Sequence, residues 1–355
     1  MTFFENTNHA ELSEIGEFGL IDLIDKSFEI KHKETNKGIG DDAAVVDFGG
    51  KKTLITTDIL TEGVHFHLSY SPLKHLGYKA VAVNLSDICA MNGTPKQITV
   101  GIALSSKFSM DAIEELMLGM KLACEKYNID LIGGDTTSSA AGLFISITAI
   151  GSAKDSDITY RSGAKKGDLI CVSGDLGGAY AGLLVLERER IVFEANPNEQ
   201  IDLTPYDYIV QRQLKPEPRT DIVELLQKNK IKPTSMIDIS DGLASEIKHI
   251  CKQSELGCRI MEDKIPIDLQ TENILKELNI APTTGALNGG EDYELLFTVK
   301  QSDYEKIKDL TEVSIIGYMT EKEEGIYLIT TDNKVIEIQA QGWDGLKKEV
   351  ESSEL

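Results

Sequence analysis

Apolar positions along this chain follow two rhythms, and the switches between them lay out its elements. Alternating, β-branched runs at Ala43–Asp47 and Lys52–Thr56 flank Gly49-Gly50 and predict a hairpin. Gln97–Leu104 and Leu143–Ile150 predict further strands. Helical spacing of Phe18, Ile21, Leu23 and Ile24 predicts a short amphipathic helix over Phe18–Phe28, after a frayed start up to Asn8. Ser71-Pro72 supplies a cap and a first-turn proline to a long apolar helix ending at Met91, which Asn92-Gly93-Thr94-Pro95 stops. Ser109–Tyr127 is a helix with acids near its start. Around Ser152–Asp157 the composition turns small and polar, which predicts two domains, residues 1–151 and 152–355.

The second part repeats the mixture. A strand at Leu169–Ser173, a Gly-rich turn and a helix at Ala179–Glu189 lead into an acidic surface loop near Glu187–Asp202. Helices near Tyr206–Leu214 and Asp221–Lys228, a strand at Met236–Ile239 and a helix at Leu243–Gln253 follow. Tyr293–Val299, Ser314–Tyr318 and Gly325–Ile329 read as strands. Mixed elements in both halves predict an α+β or α/β protein, and pattern alone leaves the topology open.

Charge narrows the partners. The 355 residues carry 36 Lys+Arg against 58 Asp+Glu, a net −22 that disfavours nucleic-acid backbones and anionic membranes. The five cysteines have no C-x-x-C or zinc spacing, so they are expected to be reduced core residues. The acidic start lacks the basic and apolar regions of a secretory signal, and no apolar run approaches the ~18 residues of a membrane helix. A soluble, cytoplasmic protein is expected.

The aspartates carry the chemistry. Gly40-Asp41-Asp42, Thr56-Thr57-Asp58, Leu85-Ser86-Asp87, Gly134-Asp135-Thr136 and Asp238-Ile239-Ser240-Asp241 each begin or end an apolar element. Any one of them alone reads as a turn or cap. Five together point to a site. Asp87 is the sharpest case: its helix is apolar nearly all round and should be buried, yet Asp87 stands in the last turn, at the negative end of the helix dipole. With no basic partner close in sequence, a divalent cation shared with Asp42, Asp58 and Asp135 resolves the conflict. Hard oxygen donors favour Mg²⁺ over zinc.

Acids repel phosphates directly but hold them through bridging Mg²⁺. There is no P-loop, and Gly174–Ala179 lacks both its lysine and the dinucleotide spacing, so it reads as a tight strand-to-helix turn. His65-x-His67 lacks a third ligand, and Arg161 is suited either to a phosphate or to a surface acid. The residues by themselves point to a Mg²⁺-dependent enzyme acting on phosphorylated substrates.

In order, GIGDDAAV, TTDILTEGVHF, KAVAVNLSDICAMNG, LIGGDTT, YRSGAKKGD, IDISDGLASE, NGGEDYELLFT and GWDG closely resemble the thiamine-monophosphate kinase family, within the aminoimidazole ribonucleotide synthetase-like superfamily. The resemblance covers nearly the whole chain. It implies a two-domain fold whose N-terminal sheet pairs with its copy in a homodimer, completed by a C-terminal α/β domain. It also implies transfer of the ATP γ-phosphate to thiamine monophosphate. By motif it implies that Asp42, Thr56, Thr57, Asp58, Asp87, Asp135, Asp238 and Asp241 hold several Mg²⁺ ions. Gly134, Asp135, Arg161 and Ser240 would contact ATP, and His65, Glu291 and Trp343 the second substrate. No catalytic base is implied. The alternatives are another ATP-dependent member of the superfamily with a different small substrate, and a non-catalytic, metal-stabilised binding protein. Departures are Asn92 for a usual glycine, which tolerates a left-handed cap, Ile59 for a usual threonine, and the longer acidic stretch.

Overall fold

The computed structural model describes residues 35–38, 40–47, 49–105, 108–196 and 202–340. The expected Phe18–Phe28 helix and Trp343 lie outside the described residues.

Two sheets organise the chain. The first has six strands, β1 (Thr35–Lys37), β2 (Ala44–Val46), β3 (Lys52–Thr61), β4 (Thr94–Leu104), β5 (Asp130–Ser138) and β6 (Phe144–Ala153), in the order β1-β2-β3-β6-β4-β5. All pairings are antiparallel except β4 with β5. The β2–β3 hairpin expected around Gly49-Gly50 forms, and β3 then pairs with β6 without interruption from Lys52↔Ala153 to Thr61↔Phe144.

Helices α1 (Leu73–Ala90) and α2 (Met110–Tyr127) pack together beside this sheet. Pro72 occupies the cap position of α1, one residue later than the sequence suggested. Asn92, at φ 56°, takes the left-handed conformation that closes the helix, and the Gly93 N–H reaches back to the Ile88 carbonyl at 3.0 Å. Thr94-Pro95, expected only as a stop, opens β4; the register against β6 slips between Pro95 and Gln97, where a missing N–H is tolerated. The α1 helix is buried on nearly every side, as its all-apolar pattern demands. One face joins the first core with Leu54, Ile88 and Ile147, while Cys89 and Ala90 pack with Cys171, Met236 and Phe297 of the second sheet.

That second sheet has seven strands: β7 (Leu169–Ser173), β8 (Ser235–Asp238), β9 (Leu256–Met261), β10 (Leu295–Val299), β11 (Val313–Glu321), β12 (Ile326–Ile329) and β13 (Val335–Glu337). Their order is β13-β12-β9-β11-β7-β10-β8, with only β12–β9 parallel. Around it lie α3 (Gly178–Ala195), α4 (Asp207–Leu214), α5 (Thr220–Lys228), α6 (Leu243–Ser254), α7 (Leu269–Glu277), α8 (Pro282–Asn288) and the short α9 (Tyr304–Ile307). One expectation is corrected here. The acidic stretch from Glu187 is not a loop at its start: α3 runs on to Ala195, because Arg190 pairs with Glu187 and Glu194 at helical spacing.

Candidate active site

Helix α1 lies between the sheets and delivers Asp87 to the place where acids from both sheets meet. The β2–β3 hairpin brings Asp42 and Asp58, and the end of β8 brings Asp238. Ligand atoms of Asp42, Asp87 and Asp238 all lie within 4.8 Å of one another. The Ser86 hydroxyl donates to Asp238 Oδ2 at 2.6 Å, and the Thr56 hydroxyl to Asp87 Oδ2 at 2.5 Å. Asp58 is fixed through its backbone N–H, which donates to Asn84 Oδ1 at 3.1 Å.

Electrostatics in this group are strained. Burial pushes the carboxyls of Asp87 and Asp238 well above the usual range. The neighbouring acids push the same way: Asp58, Asp238 and Asp42 raise Asp87. Asp58 itself is lifted to about 6 by burial and by Asp42. Among the described residues one cation enters the group. Arg161 grips Asp42 with both arms, Nε to Oδ2 at 2.8 Å and Nη2 to Oδ1 at 2.9 Å. Its backbone N–H donates to Asp41 Oδ1 at 3.2 Å, while Asp41 Oδ2 is buried with no partner among the described residues. One guanidinium cannot neutralise four acids. An all-oxygen donor set this tight, with the carboxyls of Asp58, Asp87 and Asp238 raised and a buried oxygen of Asp41 orphaned among the described residues, fits a hard divalent cation such as Mg²⁺.

A cavity of about 910 Å³ opens beside the acids. Its lining includes Asp58, Asp87, Asp238, Ser240 and Asp241 together with His65, Tyr70, Tyr180, Glu291 and Tyr293. The predicted residues His65, Asp58, Asp87, Asp238, Ser240, Asp241 and Glu291 are thus brought together across the chain. Thr57 also lines the cavity, but its hydroxyl donates to the Ile147 carbonyl at 3.0 Å. Asp42 and Thr56 stand behind the lining, bonded as above. Gly134 and Asp135 lie elsewhere, on the exposed edge strand β5. A Cβ at position 134 would meet the Val100 carbonyl oxygen at 2.0 Å, so that glycine allows close strand packing.

Sequence reasoning missed Lys79, Gln213 and the tyrosines. Lys79 was visible as a charge in the first half of an apolar helix, but its partner is 212 residues away: Nζ donates to Glu291 Oε2 at 2.8 Å. The Gly174–Ala179 turn is confirmed as structural, and the reason is visible. The Asp292 carboxylate already occupies the N-terminus of α3, accepting from the N–H groups of Gly177 at 2.7 Å and Ala179 at 3.2 Å.

Comparison with known proteins follows this geometry. Family models for the AIR synthase related protein match in two pieces, the N-terminal domain over residues 40–153 and the C-terminal domain over 165–329. The thiamine-monophosphate kinase of Aquifex aeolicus is 36% identical over 332 residues, covering 94% of this chain and 98% of that protein. The thiamine-monophosphate kinase of Bacillus subtilis is 36% identical over 337 residues, covering 93% and 99%. Among solved structures, AaThiL complexed with AMPPCP and TMP superposes with a TM-score of 0.82 at 34% identity, covering 96% of this chain and 100% of that one. The chain therefore belongs to the AIR synthase related family and, within it, to the thiamine-monophosphate kinases.

Proposed function

We propose that this protein transfers the γ-phosphate of ATP to the phosphate of thiamine monophosphate, giving thiamine diphosphate and ADP. The observation that carries this reading is one cavity lined both by clustered carboxylates and by Glu291 with the aromatic rings of Tyr70, Tyr180 and Tyr293. The first suits metal-bound phosphates; the second suits a cationic, aromatic group. The likeness to AaThiL complexed with AMPPCP, an ATP analogue, and TMP supports both substrates.

The attacking group needs little from the protein. A phosphate monoester loses its second proton near pH 6, so its oxygen is already a nucleophile at neutral pH and no general base is assigned. The obstacle is repulsion between two polyanions, which Mg²⁺ would relieve when bound. Asp42, Asp58, Asp87, Asp238 and Asp241 would hold the metal, with Thr56 orienting Asp87. The same role for Thr57 and Asp135, and ATP contacts by Gly134, Asp135, Arg161 and Ser240, rest on the motif resemblance. Arg161 serves Asp42 here, holding one acid in place. His65 and Glu291 line the cavity where the organic end would lie, and Trp343 is assigned to the same end by resemblance.

A homodimer formed through the first sheet is supported by β5, an edge strand exposed along its whole length with Leu131 and Ile132 uncovered. The division into residues 1–151 and 152–355 is supported by the two sheets and the two family-model matches. No helix among the described residues is long and apolar enough to cross a membrane. An ADP-release assay with ATP, Mg²⁺ and thiamine monophosphate tests the activity. Turnover only with a different small acceptor would move the chain to another branch of its superfamily, and binding without turnover would make it a binding protein.

A further inference from the structure

Lys79, Val83 and Asp87 recur every fourth residue of α1, and all three line the same cavity. At 1.5 Å per residue the helix sets Lys79 about 12 Å from Asp87, at the end away from the acid cluster. Lys79 is only 4% exposed, and a buried ammonium must be paired. Two of its three N–H donors are engaged: Nζ donates to Glu291 Oε2 at 2.8 Å and to the Gln213 carbonyl at 3.2 Å. Gln213 Nε2 donates to the same Oε2 at 2.6 Å. Both of these bonds to Glu291 end on one carboxylate oxygen, Oε2, so they leave Oε1 available to a ligand in the cavity.

The backbone beneath Glu291 is equally constrained. Glu291 and Tyr293 hold left-handed conformations, φ 59° and 51°, which non-glycine residues adopt at a cost. The Glu291 N–H donates to the Ser240 carbonyl at 2.6 Å, the Tyr293 N–H donates to the Ile239 carbonyl at 2.8 Å, and Asp292 between them anchors on the start of α3. A strained loop fixed from below and a carboxylate clamped from the side leave one oxygen in one orientation.

We infer that Lys79 is a positioning residue for the organic end of the substrate, acting through Glu291 rather than by touching a phosphate. The inference rests on the thiamine-monophosphate reading of the cavity. Ligand specificity at this end then comes from a neutralised, pre-oriented carboxylate and the neighbouring rings of Tyr70 and Tyr180, not from net negative charge.

The test begins with the wild-type protein, whose failure to phosphorylate thiamine monophosphate would overturn the functional reading itself. Given that turnover, Lys79→Met is expected to raise KM for thiamine monophosphate about tenfold, with KM for ATP and kcat changed less than threefold. Glu291→Gln should show the same selective rise, and the double variant K79M/E291Q should be no worse than E291Q alone, because Lys79 works through that carboxylate. Unphosphorylated thiamine, titrated by calorimetry, should lose affinity in K79M while Mg-ATP does not. Equal rises in both KM values, losses that multiply in the double variant, or an unchanged KM for thiamine monophosphate would each overturn the inference. Should K79M prove insoluble, Lys79→Gln, which keeps a donor against Glu291, is scored on the same criteria with a threefold threshold.

Discussion

Among the described residues, one group of buried carboxylates is at peace with its surroundings and another is not. Asp292 and Glu294 sit among donors. Arg212 reaches Glu294 Oε1 at 2.9 Å, Arg219 bonds Oε2, the Ser173 hydroxyl donates to Oε2 at 2.5 Å, and α3 caps itself on Asp292. Around Asp42, Asp87 and Asp238 one guanidinium is found among the described residues, and it bonds Asp42 alone. Burial raises the Asp292 carboxyl, and with Arg212 and the N–H groups of Gly177 and Ala179 pulling the other way it stands at about 6. Around Asp87 burial raises the carboxyl and the three neighbouring acids raise it further. Acids matched by fixed cations hold a fold together. Acids that push one another upward store a demand for a cation that must come from outside, and that demand marks the site.

The matched group should break hardest when cut. Glu294→Ala leaves two half-buried arginines without the carboxylate they share and is expected to cost about 3–5 kcal/mol of stability by denaturant titration. A loss under ~1 kcal/mol would show that the network does not hold the second sheet and its helices together. The unmatched group should respond in the opposite sense. Asp87→Asn should keep the fold at equal or higher stability while turnover at limiting Mg²⁺ falls about 10²–10³-fold. Wild-type turnover in that variant would remove Asp87 from the cation site.

Ligands sharpen the contrast further. Mg-ATP at a hundredfold excess over Kd should stabilise the protein by about 2.7 kcal/mol, visible as a rise in Tm, and ATP with EDTA should not. Equal shifts would mean that fixed cations, not a metal, hold the nucleotide. The gentlest probe is pH. In metal-free protein Asp58 releases its proton near 6, against an ordinary value of 3.8. Between those values the folded state binds more protons than the unfolded one, so stability must fall as pH rises from about 4 to 6. The slope is at most about 1.4 kcal/mol per pH unit for each such carboxyl. Saturating Mg²⁺ should flatten or invert the slope by favouring the ionised acids. A metal-free slope of the opposite sign would mean that the cluster is not strained.

The acid motifs were legible one by one because each sits at the end of an apolar run, where the chain must leave a core. Asp87 was legible as a conflict, since an all-apolar helix announces burial and a carboxylate in it announces a missing partner. The correction in α3 is local too: Arg190 between Glu187 and Glu194 was in plain sight, but a run of charge reads as loop until the i, i+3 and i, i+4 pairs are counted. Strand β5 was harder, because its Gly133-Gly134 step and wholly exposed faces carry no alternation.

What the sequence determined by itself is the strongly periodic elements, the acids placed among them and the family to which their order belongs, while β1, β5, β9, β13 and α7 to α9 went unread. Hydrophobic period and turn chemistry act over a few residues, so they are written locally. What the tertiary structure alone decided is which acids meet, and with whom. Asp42 with Arg161 across 119 residues, Ser86 with Asp238 across 152 and Lys79 with Glu291 across 212 are contacts between elements that no local pattern couples. The charge of a buried side chain is settled by its neighbours in space, and only the packing of α1 between the two sheets brings those neighbours within reach.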